Sequence, residues 1–322
     1  MLWRVLCRLA SLKLTLVILL LLGIGVVVSY QSEVRTTWAL VLPLALFAVN
    51  LSAAVVTKPV FRQQRALLVF HLALITIILL VAAGRLTYLK GTLELGEGEW
   101  FGGTLTSSES GPWHWWRLDR VSFVNEGFSI DYAPGVRRGK TANRVRWLDE
   151  DGVERSGTIG DLDALMLHGY RFYTSPNKGF APTFIWRPHG GEPGRGTIHL
   201  PGYPLNLYRQ ALEWTPPGSH RKLWTMLQFD EVILDPAKPS EFHLPKEHRI
   251  VMRSGDQRWE MRPGDSRELG DGTLVYEGLR AWMGYTVYSD WTIRWLLAAC
   301  VVAVLSLARH FWKKFAAKPW EA

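Results

Sequence analysis

The chain has 322 residues, of which 48% are hydrophobic, and its formal net charge is +8. This length allows about two domains. Residues 85–290 hold 25 Lys and Arg against 27 Asp and Glu, so the basic excess lies towards the two ends of the chain. That distribution argues against a nucleic-acid partner as the reason for the positive charge.

Four apolar blocks dominate the hydropathy pattern. They cover residues 12–30, 38–56, 67–84 and 291–309. A helix rises ~1.5 Å per residue and needs ~20 apolar residues to cross the hydrocarbon core, and each block is about that long. We therefore predict three transmembrane helices within residues 1–84, a large exported segment at 85–290, and a fourth transmembrane helix with a short basic tail at 291–322.

Basic residues flank the blocks at alternate ends. They are Arg4, Arg8 and Lys13 before the first block, Lys58, Arg62 and Arg65 between the second and third, and Arg309, Lys313, Lys314 and Lys318 after the fourth. The positive-inside rule then predicts a multi-pass protein of the cytoplasmic membrane, with both termini cytoplasmic and residues 85–290 outside. Aromatic side chains suit the two interfaces: Trp38, Tyr285, Tyr288, Trp291 and Trp295 the outer one, and Trp312 the inner one.

The exported segment carries the signals of a β-rich domain, either a sandwich or an open barrel. Alternating runs at 143–159 flank Asp151-Gly152, a dipeptide typical of hairpin turns. "GYRFYTSP" (169–176) and "APTFIWRP" (181–188) are predicted as two further short strands. Residues 188–222, rich in Pro and Gly, are predicted as long loops.

Catalytic motifs are missing from the sequence. It has no G-x-S-x-G elbow, P-loop, H-E-x-x-H or C-x-x-C-H motif, so we predict no catalytic residue and no covalently attached haem. The two cysteines, Cys7 and Cys300, lie outside residues 85–290. The exported segment therefore cannot form a disulfide or act as a thiol–disulfide carrier.

His71 lies inside the third apolar block, in "RALLVFHLALITIILLVAAGRL" (65–86). An ionisable residue in a membrane span suggests a functional site, and neutral imidazole is a common metal ligand. The alternative is a packing histidine that hydrogen-bonds a neighbouring helix at Asn50 or Ser52. His310, just past the fourth block, lies towards the water, so a second ligand would more readily come from another protein.

A tryptophan-rich stretch, "GPWHWWRLD" (111–119), surrounds a second histidine. Aromatic faces can sandwich a flat cofactor, but they more often fill a core or lie near a membrane surface. Its residues are weaker candidates for cofactor contact: His114, Trp113, Trp115 and Trp116.

The layout of three helices, a β-rich segment and one last helix resembles the ResB family of cytochrome c biogenesis. Four stretches carry the resemblance: "LASLKLTLVILLLLGI" (9–24), "FHLALITIILLVAAGRL" (70–86), "HGYRFYTSP" (168–176) and "GLRAWMGYTVYSD" (278–290). The second resembles the family's third helix, whose histidine falls at the position of His71. Two features depart from the family pattern: the chain is compact, and "YSDWT" stands where many members have Asp-Pro-Gly.

The resemblance implies an accessory, non-catalytic subunit of a bacterial system II cytochrome c synthetase. It implies that His71 is an axial ligand to the iron of a transiently held haem b, shared with a polytopic partner of the ResC or CcsA type. Apocytochrome c would be a second partner, and a thiol-reducing thioredoxin-like protein a third. The tryptophan-rich haem-handling motif of the polytopic partner is missing from this chain.

Two other functions fit the residues. The chain could be a membrane-anchored sensor or assembly scaffold with no haem role, in which case His71 only packs. It could also be a stand-alone b-type haem membrane protein, with His71 and His310 as ligands. A transporter fits less well, because the helices show no inverted repeat and no charged residue at mid-membrane.

Overall fold

The structure is a computed structural model that describes residues 2–31, 36–207 and 209–316. Within them the helices are α1 (Leu2–Leu9), α2 (Leu12–Gln31), α3 (Thr37–Thr57), α4 (Val60–Gln63), α5 (Arg65–Thr87) and α6 (Thr292–Ala316). The strands are β1 (Leu89–Gly96), β2 (Trp100–Phe101), β3 (Ser107–Ser110), β4 (Phe123–Ala133), β5 (Arg137–Leu148), β6 (Glu154–Ile159), β7 (Leu165–Leu167), β8 (Tyr170–Pro188), β9 (Gly194–Thr197), β10 (Ala211–Trp214), β11 (Leu223–Gln228), β12 (Ser240–Glu241), β13 (Arg249–Ser254), β14 (Gln257–Met261), β15 (Ser266–Glu268) and β16 (Gly272–Ser289). Lys318 of the predicted basic tail lies outside the described residues.

The chain divides into two compact units. The helical unit comprises Met1–Leu89, Glu109–Trp115 and Ser289–Ala322, and the strand unit comprises Lys90–Ser108 and Trp116–Tyr288. Over the described ranges, α2, α3, α5 and α6 are long and apolar enough to cross a membrane, which confirms the four predicted transmembrane helices. The fourth helix continues to Ala316, seven residues beyond the apolar block that predicts it.

Asn50 holds the junction between α1 and α2. The two helices are separated at Ala10 and Ser11, and a helix end leaves backbone carbonyl oxygens without helical partners. The Ser11 carbonyl oxygen still accepts the Thr15 N–H at 3.1 Å. The Asn50 side chain, only 3% exposed, donates through Nδ2 to the carbonyl oxygens of Leu9 (2.5 Å) and Ser11 (3.3 Å). It also accepts a hydrogen bond from the Thr15 hydroxyl at 2.8 Å. In an apolar surrounding these bonds satisfy polar groups that water cannot reach.

The transmembrane helices pack through small residues. A Cβ atom built on Gly25 of α2 would lie 2.2 Å from the carbonyl oxygen of Ala39 in α3, so only glycine allows this approach. Gly84 of α5 is similarly close to Thr292 of α6, whose Oγ1 would lie 2.9 Å from the added Cβ. Between α3 and α5, a cluster of buried side chains forms the apolar core of the helical unit: Leu44, Ala48, Ile78 and Ala82.

Asp290 starts the last helix. Its Oδ1 accepts hydrogen bonds from the backbone N–H of Thr292 (2.9 Å) and from the Thr292 hydroxyl (2.7 Å). This arrangement satisfies one of the N–H groups that a helix start leaves unpaired, and it places a negative charge at the positive end of the helix dipole. The "YSDWT" sequence therefore provides its own helix start without the Asp-Pro-Gly of the resembled family.

Three sheets build the strand unit, which confirms the predicted β-rich class. The largest has the order β3-β1-β16-β8-β7, with β15 also paired to β16 and β9 to β8. A second sheet has the order β10-β11-β13-β14. The third has the order β12-β4-β5-β6, with β2 also paired to β4. The hairpin predicted at Asp151-Gly152 is the β5–β6 turn, in which Asp149 Oδ1 accepts hydrogen bonds from the N–H groups of Asp151 and Val153.

The prediction of two short strands at 169–176 and 181–188 is wrong, because both belong to β8. This strand pairs antiparallel with β16 from Gly272 opposite Pro188 to Tyr288 opposite Arg171. The pairing register shifts between Met283 and Tyr285, beside the residues of β8 that include Pro176. A bulge at this point accommodates a proline that cannot donate to the ladder.

Tyr285 is not at a membrane interface, contrary to the sequence prediction. It is fully buried in the strand unit, and its hydroxyl donates to Oδ1 of Asn143 at 2.8 Å. The alternation of β16 turns this ring inward. Trp38, Trp291 and Trp295 are 47%, 45% and 62% exposed in the helical unit. Their interfacial position stays a prediction.

Candidate functional site

His71 lies in the second turn of α5, six residues after the helix begins at Arg65. At ~1.5 Å per residue its Cα is about 9 Å along the helix axis from that end. The ring is half-buried. His71 is seven residues, or about two helical turns, before Ile78, so it falls on the same face of α5 as Ile78 and Ala82. These two residues pack against α3. His71 therefore lies on the α3-facing side of α5.

The hydrogen bond of the ring fixes its tautomer. Nδ1 lies 2.8 Å from the carbonyl oxygen of Leu67, one turn earlier in the same helix. Because a carbonyl oxygen can only accept, Nδ1 carries the proton, and in the neutral ring Nε2 carries the lone pair. Nε2 makes no hydrogen bond to any residue that the structure describes. This is the arrangement by which a protein orients a histidine for metal binding through Nε2.

Two phenylalanines surround the His71 ring. The Phe61 ring centroid lies 4.6 Å away at an interplanar angle of 65°, and the Phe70 centroid lies 5.3 Å away at 90°. Phe61, in the short helix α4, is itself buried. These edge contacts limit rotation of the imidazole and keep its surroundings apolar.

The predicted alternative of a bond from His71 to Asn50 or Ser52 is wrong. His71 bonds its own helix at Leu67, and Asn50 is engaged by Leu9, Ser11 and Thr15. The physical reason is the break between α1 and α2, where the Leu9 carbonyl oxygen accepts a hydrogen bond from the Asn50 side chain.

His310 is not brought into a shared cavity with His71. It lines a cavity between the start of α5 and the end of α6, and His71 is not among the lining residues. Its ring lies 5.3 Å from that of Phe311. Among the residues described, no group of three or more His, Cys, Asp or Glu side chains could hold a metal ion. Within the described residues, His71 is therefore not part of a group of metal-binding side chains.

The tryptophan-rich stretch is held against the end of α5. His114 is 8% exposed, and its Nδ1 lies 2.7 Å from the carbonyl oxygen of Thr87. Trp113 donates its backbone N–H to the carbonyl of Leu86 at 2.8 Å, and its ring meets Trp38 edge-on at 6.1 Å. The side chains of Trp113 and Trp115 are 59% and 53% exposed. Trp116, 55% exposed, belongs to the strand unit.

A half-buried histidine that the sequence did not identify lies in the strand unit. His199 stacks on Trp282 at 5.6 Å and 17°, with Nδ1 3.5 Å from Glu94 and Nε2 3.3 Å from Glu99. Burial alone would lower the pKa of His199, but its hydrogen bonds to the two carboxylates raise the pKa to about 9. Burial would raise the pKa of Glu99, but hydrogen bonds from His199 and the Gly96 N–H lower it to about 2. These residues form a charged cluster that joins β1 to the segment around residue 199.

The two histidines of "FHLPKEHRI" have separate partners. His243 Nε2 lies 3.1 Å from Glu231, and His248 Nε2 lies 2.7 Å from the Tyr276 hydroxyl. The two imidazoles therefore contact different groups and do not form a pair.

The chain has a weak structural likeness to a protein of known structure. No protein-family model matches the sequence, and no curated protein matches it. A solved structure described as "Cytochrome c Heme Lyase CcmF" is 14% identical with a TM-score of 0.27, and covers 94% of this chain and 35% of that chain. The chain thus spans about a third of that protein's length. A likeness at this level carries no argument about activity.

Proposed function

We infer that this chain is an accessory, non-catalytic membrane subunit in cytochrome c maturation that holds haem as cargo through His71. The observation that carries the proposal is the His71 ring itself, with Nδ1–H bonded to Leu67 and Nε2 without a partner among the described residues. The four-helix membrane layout and the stretches that resemble the ResB family support it from the sequence.

Haem matches the chemistry of this position. Its porphyrin is largely apolar, and its iron takes axial imidazole ligands. His71 offers one such nitrogen beside the apolar rings of Phe61 and Phe70, at a shallow depth in the membrane. The hydrogen bond from Nδ1 to a carbonyl oxygen also makes Nε2 a better donor to a metal.

A second protein would complete the haem site. His310, the other histidine towards the same end of the membrane helices, lines a cavity that does not include His71. We therefore assign the second axial ligand and the ligation chemistry to a polytopic ResC- or CcsA-like partner. Apocytochrome c would dock outside the membrane, and a thioredoxin-like protein would keep its thiols reduced, because residues 85–290 contain no cysteine.

A scaffold without haem is the second candidate function. Its support is the same aromatic contact, because a histidine between Phe61 and Phe70 that bonds its own helix is also well satisfied as a packing residue. Under this function the exported domain would act as an assembly platform, and replacing His71 would leave its partners bound.

The test is the absorption spectrum of the purified full chain, co-expressed with or without a ResC-like protein. We expect haem to copurify only with the partner present and to be lost in His71→Gly. Added imidazole should restore the Soret band of His71→Gly, because it can occupy the space of the missing ring. His310→Gly is the matched control and should retain the wild-type haem content.

Three outcomes would contradict the haem proposal. Unchanged haem in His71→Gly would remove the ligand role, and absence of haem in every preparation would favour the scaffold. A bis-histidine spectrum from the chain alone, lost in both variants, would indicate a stand-alone b-type haem protein.

A further inference from the structure

The basic end of the helical unit contains a cavity of about 1070 Å³ between α5 and α6. Along α6 its wall follows one helix face, with residues spaced three or four apart. The lining residues change from apolar to basic along this face: Val302, Leu305, Ser306, Arg309, His310, Lys313 and Lys314. The opposite wall consists of Gln63 at the end of α4, Gln64, and Arg65, Ala66 and Val69 at the start of α5.

Among the described residues, no acidic side chain lines the basic part of the cavity. Four permanently charged side chains line it: Arg65, Arg309, Lys313 and Lys314. No Asp or Glu is among its lining residues, and within the described part of the chain none of the four forms an ion pair. The N-terminus of α5 opens at the same place, and Gln64 makes no side-chain capping bond there. The positive end of the helix dipole adds to the attraction for an anion.

An apolar groove continues this cavity towards the middle of the membrane. Val69 and Val302 line both spaces, and the groove has a volume of about 500 Å³ between the same two helices. Its lining is apolar apart from Thr76 and includes Leu72, Ala73, Trp295 and Ala299. Arg309 and Ala299 are ten residues apart in α6. This separation corresponds to ~15 Å along the helix axis, which is half of a ~30 Å hydrocarbon core.

We propose that this space binds one anionic phospholipid, with its phosphate among the basic side chains and an acyl chain in the groove. A phosphate accepts paired hydrogen bonds from guanidinium groups and is attracted by lysine ammonium groups. Basic pockets between transmembrane helices are known to select anionic headgroups. Inorganic phosphate would meet the same charges but would leave the groove unused, so the groove favours the lipid as the source of the phosphate.

Native mass spectrometry of the detergent-purified full chain tests the proposal. The probes are phosphatidylglycerol, zwitterionic phosphatidylcholine, water-soluble glycerophosphoglycerol and inorganic phosphate. We expect one phosphatidylglycerol per wild-type chain, with no comparable retention of phosphatidylcholine. In the double variant Arg309→Gln/Lys313→Gln, affinity for phosphatidylglycerol should fall roughly 25-fold, since each basic residue near a lipid surface contributes about a fivefold gain in affinity.

The matched control is Arg4→Gln/Arg8→Gln, which removes the same charge from α1 without touching the cavity. It should bind phosphatidylglycerol almost as the wild type does, and equal thermal unfolding midpoints will show that both variants are folded. Equal losses in the two double variants would overturn the site in favour of general surface attraction. Displacement of phosphatidylglycerol by equimolar inorganic phosphate or glycerophosphoglycerol would assign the site to a free anion, and displacement by hemin would assign it to haem.

Discussion

Asn50 and His71 show two ways in which a polar side chain is accommodated in apolar helices. The Asn50 amide nitrogen donates hydrogen bonds to the carbonyl oxygens of Leu9 and Ser11, and its amide oxygen accepts one from Thr15. Both polar groups of Asn50 therefore have partners. His71 donates from Nδ1 to the Leu67 carbonyl oxygen, and its Nε2 has no hydrogen-bond partner among the described residues. The first residue is therefore explained by structure alone, whereas the second retains a group that can bind a ligand.

The His199 cluster gives the strand unit a pH-dependent stability. The pKa of His199 is raised from its ordinary value of 6.5 to about 9. Its contribution to stability is therefore complete below pH 6.5 and is lost as the pH rises through about 9. The pKa of Glu99 is lowered from 4.5 to about 2, so its contribution is complete above pH 4.5 and is lost as the pH falls through about 2.

We predict that His199→Gln lowers the thermal unfolding midpoint of the full chain most between about pH 5 and 6.5. The difference from wild type should shrink towards pH 10, where His199 is neutral in both folded and unfolded chains. Unfolding can be followed by tryptophan fluorescence, to which Trp282, stacked on His199, is one of 16 contributors.

The matched control for this prediction is His243→Gln. His243 also pairs with a carboxylate, Glu231, but its side chain is 45% exposed. Solvent screens such a pair, so we expect a small effect at every pH. A difference between His199→Gln and wild type that is equal at pH 6 and pH 10 would show that the charged cluster does not stabilise the fold.

The sequence predicted some of these individual residues and could not predict others. His71 was identifiable because a lone imidazole in an apolar run is unusual. The His199 cluster was not, because Glu94, Glu99 and Trp282 lie far from His199 in the chain and only the strand pairing brings them together. Tyr285 was misplaced because its neighbourhood of aromatic residues also fits an interface, and only the strand register decides which ring faces inward.

At the scale of elements, α5 organises the helical unit by using different faces for different neighbours. Ile78 and Ala82 pack against α3, whereas Leu72 and Thr76 line the groove shared with α6. His71 belongs to the first face. A helix that is apolar all round can be divided in this way because it is buried by protein on some sides and by lipid on the others.

The contact between α2 and α3 depends on one glycine. We predict that Gly25→Ala destabilises the full chain by about 1–3 kcal/mol, the usual cost of overpacking, because its Cβ would overlap the Ala39 carbonyl. Gly23→Ala is the matched control, since nothing lies within 4 Å of its Cβ. Thermal unfolding in detergent measures the stability of both variants. Equal unfolding midpoints for Gly25→Ala and Gly23→Ala would show that the close approach at Gly25 does not contribute to stability.

Long elements were predictable and short or interrupted ones were not. The four transmembrane helices follow from apolar runs of about 20 residues. Helix α1 was missed because it has only eight residues, and its arginines were assigned to the flank of the first block. Strand β8 was divided in two because Pro176 and Pro182 are signals for strand ends. The basic cavity could in part have been anticipated from the spacing of Val302, Leu305, Arg309 and Lys313 in the sequence.

At the scale of the whole molecule, the basic flanks predict which side of the membrane each segment occupies. In a Cys7→Ser/Cys300→Ser background, we predict that Asp151→Cys in the β5–β6 turn reacts with a membrane-impermeant maleimide on intact spheroplasts. Lys58→Cys, exposed at the end of α3, should react only after the membrane is opened. The reverse labelling would invert the proposed topology.

The pairing of β1 with β16 also determines the order in which the molecule can be completed. The two strands are hydrogen-bonded neighbours, yet one begins at Leu89 and the other ends at Ser289. During synthesis the first strand must therefore wait for nearly the whole strand unit before its partner emerges. Such a long sequence separation slows folding and leaves a strand edge unpaired in the meantime. A chaperone that binds unpaired strand edges would act on this chain in the interval before the last strand arrives.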